Sequence, residues 1–100
     1  MLIKIIKPLP ELKLEAIDKI NTITSTKILS VYPDWKQRNM TARFVELITL
    51  NETTSEEAVA IQSAWSWIKS VRDASNVATN GINNATNYPD IRTIVENYNT

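Results

Sequence analysis

From Glu11 onward, apolar residues return at steps of three and four. Leu14, Ile17, Ile20, Thr24, Ile28 and Val31 would line one face of a first helix. The stretch Thr22-Ile-Thr-Ser-Thr26 interrupts it with hydroxyl and β-branched side chains, poor helix formers, so a bend or break is expected near 22–26. Tyr32-Pro33-Asp34 ends this helix and starts a second. The residue before a proline avoids helical backbone, proline suits a first helical position, and Asp34 favours the positive end of the helix dipole. The second helix is expected to run to about Leu50 and to bury Met40, Phe44, Leu47 and Ile48.

Residues 51–55 form a polar connector, and Thr54 with Glu57 has capping-box spacing. A third helix of about 25 residues follows. Its stripe is Ile61, Ala64, Ile68, Val71, Ser75 and Ala78, and Asn80-Gly81 reads as its stop. Asparagines then crowd the chain at 80, 83, 84, 87, 97 and 99. Within this segment Tyr88-Pro89-Asp90 repeats the earlier tripeptide and opens a short fourth helix carrying Ile91, Ile94, Val95 and Tyr98. At the other end, residues 2–7 are Ile-rich and precede Pro8 and Pro10. They read as a short strand, or as an apolar extended arm laid across the helices. The expected architecture is all-α: one domain over 1–100, with an extended arm at 1–10, a helical core at 11–80 of three main helices, and an Asn-rich tail at 81–100 with its short helix. The second and third helices would form an antiparallel hairpin.

Composition narrows the chemistry. The 100 residues include no Cys and no His. That excludes thiolate and imidazole catalysis, disulfides and zinc sites of the usual nitrogen and sulfur kind. A single glycine cannot build a Rossmann or P-loop phosphate cradle. Eleven Lys and Arg balance eleven Asp and Glu, so no general attraction to nucleic acid or to an anionic membrane is expected. The balance is uneven along the chain: residues 1–50 carry eight basic against five acidic groups, a net +3, and residues 51–100 three against six, a net −3. Lys4 and Lys7 break the N-terminal apolar run well short of a signal peptide or membrane span, so a soluble intracellular chain is expected.

Few residues offer themselves for function. Glu46, Glu56, Glu57, Asp73 and Glu96 are the carboxylates available for acid–base work, and they show no convergent spacing. Lys36, Arg38, Arg43, Lys69 and Arg72 lie near Trp35 and could meet phosphates and bases; with no basic excess, side chains lying over the core and pairing with local acids are expected instead. Trp65-Ser66-Trp67 places two indoles about 200° apart on one helix. Either the third helix is a middle layer that buries both, or one is exposed as a contact residue. The expected partner-contact residues are Trp35, Arg38, Trp67 and Arg72, with Leu2–Ile6 as a strand-adding or oligomerising element. Leu14, Ile17, Asn21, Thr24, Ile28 and Val31 also fit a heptad seam for self-association. No catalytic residue, cofactor site or metal site is expected.

Two blocks carry a resemblance. Tyr32-Pro-Asp-Trp-Lys-Gln-Arg-Asn-Met-Thr-Ala-Arg-Phe-Val-Glu-Leu47 and Ala60-Ile-Gln-Ser-Ala-Trp-Ser-Trp-Ile-Lys-Ser-Val-Arg-Asp-Ala-Ser-Asn76 resemble segments of small tailed-bacteriophage tail-fibre-associated and neighbouring structural proteins. The resemblance covers about half the chain, in the two helices expected to form the hairpin. It implies a non-enzymatic virion or assembly protein, located in the particle or the host cytoplasm, that contacts another phage tail or fibre protein or itself. The alternative is a small phage-encoded inhibitor that binds a host defence or regulatory complex.

Overall fold

The computed structural model describes residues 7–99, and every regular element among them is an α-helix. The helices are α1 (Leu9–Val31), α2 (Asp34–Thr49), α3 (Glu56–Asn84) and α4 (Tyr88–Tyr98). The Leu2–Ile6 segment lies outside the described residues.

α1 starts before Glu11. The Pro8 carbonyl accepts the Leu12 N–H at 3.1 Å, and Pro10 sits in the first turn, where a missing N–H has no helical partner to lose. Leu9 and Pro10 therefore belong to the helix and not to an arm reaching residue 10. Nor does α1 break at 22–26. The Thr24 hydroxyl donates to the Ile20 carbonyl at 2.7 Å and lies 2.5 Å from the Tyr98 hydroxyl, so it is satisfied without capturing a backbone N–H. The buried face also differs from the expected one. Ala16, Ile20, Thr24 and Ile28 point inward in a strict four-residue row, whereas Leu14 (70%) and Val31 (46%) are exposed. The proposed heptad seam on α1 is thus unavailable, because Thr24 and Ile28 are buried and Ile17 packs on a core cluster.

The chain divides into two compact units, one ending at Thr24 and resuming at Ala74, the other Ser25–Asp73. In the first, Ala16 and Ile20 of α1, Ala78 and Ile82 of α3, Ala85 just after it, and Ile91 of α4 form one apolar cluster. Gly81 does not stop α3. The helix runs through it to Asn84, and a Cβ at Gly81 would lie 3.1 Å from Ile94 Cδ1. The glycine serves close approach of α4 to α3, and its φ is not positive. Asn87 caps α4 by accepting the Asp90 N–H at 3.0 Å, with Pro89 in the first turn. Ile91 is buried, and Ile94, Val95 and Tyr98 pack on the same cluster, as the spacing predicts.

In the second unit α2 and α3 form the expected antiparallel hairpin. Arg43 meets Glu57 beside the connector and Tyr32 meets Trp67 far from it, so positions rise along one helix as they fall along the other. α2 ends in a Schellman motif: the Glu52 N–H reaches the Leu47 carbonyl at 2.8 Å and the Asn51 N–H the Ile48 carbonyl at 3.1 Å, with Asn51 at φ 58°. The cap of α3 is Ser55, whose Oγ accepts the Ala58 N–H at 3.2 Å, so the Thr54–Glu57 capping box does not form. The α3 stripe Ile61, Ala64, Ile68, Val71, Ser75 and Ala78 is buried at every expected position. On α2, Leu47 is buried and Met40 and Phe44 pack beside it, but Ile48 is 52% exposed. The α3 partners lie against the Met40–Phe44–Leu47 edge, and Ile48 falls about 100° beyond Leu47.

Candidate protein-contact surface

The hairpin unit carries all four expected contact residues, and they fall into different environments. Trp67 is half-buried. Its ring lies 5.6 Å from that of Tyr32 at 57°, and it packs with Tyr32 and Trp65 on the cluster of Ile28, Ile68 and Val71. Trp65 is also half-buried and bridges to a second cluster of Leu47, Ala58 and Ile61. Both indoles therefore pack on cores from the two sides of α3, and Trp67 is a packing residue at its inner edge. Arg72 is exposed on α3. Trp35 is 60% exposed, and Arg38 shares its face of α2 one turn on.

Three of the five basic side chains singled out in the sequence have local partners. Arg43 makes a bidentate contact with Glu57, through Nε at 2.7 Å and Nη2 at 3.0 Å, and its Nη1 donates to Glu46 at 2.9 Å. Those hydrogen bonds raise the guanidinium above its already high range, and Arg43 holds the Glu57 carboxyl below the usual carboxylate range. Lys69 pairs with Asp73 at 2.8 Å, and Lys36 lies 5.5 Å from the centre of the Tyr32 ring. Arg38 and Arg72 make no ion pair among the described residues. Of the candidate carboxylates, Glu46, Glu57, Asp73 and Glu96 all neutralise neighbouring arginines or lysines.

Arg38 borders a wide-mouthed concavity of about 530 Å³, lined also by Asp34, Gln37, Thr41, Ala42 and Trp65. The lining offers one guanidinium, one carboxylate, an amide and a hydroxyl above an indole wall. Such a set suits an incoming amphipathic side chain, with apolar contact at the base and a charge-assisted hydrogen bond at the rim. No group of three or more His, Cys, Asp or Glu able to hold a metal occurs among the described residues, and no helix is long and apolar enough to cross a membrane.

Ala42 and Val45, absent from the expected contact residues, also belong to this surface. Val45 is 57% exposed and Ala42 is exposed. Trp35, Arg38, Ala42, Val45 and Thr49 follow one another at steps of three, four, three and four, on the side of α2 opposite Met40, Phe44 and Leu47. That spacing was readable in the chain, but only the buried row showed which side remains outside. No protein-family model, no curated protein and no solved structure matches the chain.

Proposed function

We propose that this chain is a non-catalytic structural or assembly protein of a tailed bacteriophage, tail- or fibre-associated, that works by protein–protein contact through the outer face of α2. The observation that carries the contact reading is Trp35, a largely exposed indole one turn from an arginine that lacks a carboxylate partner among the described residues. Trp and Arg are both among the residue types enriched where binding energy concentrates. The phage assignment rests on the resemblance of the 32–47 and 60–76 blocks, which lie on α2 and α3.

Mass spectrometry of purified particles tests both parts. The wild-type chain is expected in particles at stoichiometric level, and Trp35→Ala with Arg38→Glu is expected to reduce incorporation at least tenfold while circular dichroism stays unchanged. Absence from particles combined with specific capture of a host protein would replace this reading with the host-directed inhibitor. Full incorporation of the double variant would remove α2 as the contact face.

A further inference from the structure

We infer that the outer face of α2 pairs with the same face of a second copy of this chain, antiparallel about a twofold axis. The inference rests on the contact reading above and names its partner. A twofold interface requires a surface that matches itself, each residue meeting on the partner the residue that meets it in return. The row Trp35, Arg38, Ala42, Val45, Thr49 has the three–four spacing of a helix-pairing seam and lies opposite the buried row. When one copy is turned over onto the other, Trp35 falls opposite Val45 of the second copy, and Arg38 falls opposite its Ala42. Two exposed apolar side chains are then covered twice over, and the small Ala42 leaves room for the Arg38 stem.

Charge fits the same register. Helical side chains lean toward their own N-terminus, so Arg38 leans toward the level of Asp34 and Trp35. In the paired arrangement Glu46 of the second copy lies at that level. Arg38 has no ion pair among the described residues, while Glu46 presents a 63% exposed side chain and accepts a single hydrogen bond, from Arg43. The twofold axis makes this cross-contact twice. Antiparallel pairing also sets the helix dipoles head to tail. The Val77 and Leu14 surfaces are exposed as well, at 71% and 70%.

A 16-residue helix is about 24 Å long and covers less than the roughly 1,200 Å² of a standard interface, so association is expected with Kd on the order of 100 µM. Sedimentation equilibrium from about 10 µM to 1 mM measures it. The wild type is expected to dimerise, and Arg38→Glu, Glu46→Arg and Trp35→Ala each to weaken dimerisation at least tenfold. An equimolar mixture of Arg38→Glu and Glu46→Arg is expected to recover it, because each mixed pair restores both cross-contacts. Circular dichroism and thermal midpoints check that the variants are folded. A wild type that stays monomeric to 1 mM, or a dimer indifferent to both charge reversals, or no recovery on mixing, overturns the pairing. Loss of Trp35→Ala from particles by a monomeric chain would leave the contact reading standing with a different partner, so the two failures separate.

Discussion

Asn51 is the one non-glycine residue with positive φ among the described residues, and its conformation follows from its position. The Schellman turn that ends α2 needs left-handed backbone at the residue after the cap, and asparagine tolerates it better than any β-branched side chain. Asn51→Gly is expected to leave stability within about 0.5 kcal/mol, whereas Asn51→Val should cost about 1–2 kcal/mol in urea unfolding. Equal costs for the two would mean that the turn does not hold this backbone. The two tryptophans make a related point. Their spacing shows that they face different ways, but whether each face is covered depends on Tyr32 and on the α2 residues, which are distant in sequence. Tyr-Pro-Asp shows the same dependence, because the tripeptide is used in two registers. Pro33 is the cap of α2, with Tyr32 outside the helix, whereas Tyr88 lies inside α4 behind the Asn87 cap.

At the scale of the elements, two local stop signals are overridden by packing. Hydroxyl side chains at 22–26 cost α1 some intrinsic propensity, yet Thr24 is held by the Ile20 carbonyl and the Tyr98 hydroxyl. Gly81 continues α3 because Ile94 of α4 packs where a side chain would be. Gly81→Ala therefore combines two opposed effects. Helix propensity gains about 1 kcal/mol, and the new methyl presses on the Ile94 tip, which must turn by a few tenths of an ångström. The net change in urea unfolding is expected to stay within about 1 kcal/mol. Gly81→Leu has no such room and should lose about 2 kcal/mol or more by displacing α4. A neutral leucine variant would show that α4 does not pack on this turn.

For the molecule as a whole, each compact unit has its own fully buried aliphatic residues: Ile20 and Ile82 in one, Leu47 and Ile68 in the other. Truncating any of them to alanine removes buried methyl groups and leaves a cavity, costing about 2–5 kcal/mol. Chains of this size have roughly 5–15 kcal/mol in total, and each kcal/mol lost lowers the melting temperature by about 4–8 °C. Ile20→Ala and Leu47→Ala are therefore expected to melt at least about 8 °C below wild type. Leu14→Ala, at a 70% exposed position of the same α1, should shift by no more than about 4 °C. A large loss at Leu14 would contradict the observed inward row. The all-α class, the positions of the helices, the hairpin and the whole α3 stripe were legible because apolar spacing on a long helix is a local property of the chain. The sequence by itself determined the number and order of the helices and that no thiolate or imidazole chemistry is available. Only the tertiary structure decided which residues of α1 face inward, that α3 passes through Gly81, and that Trp35, Arg38, Ala42 and Val45 share the outer side of α2. Those outcomes depend on which helix covers which face, and burial is a relation between segments remote in sequence that no local window contains.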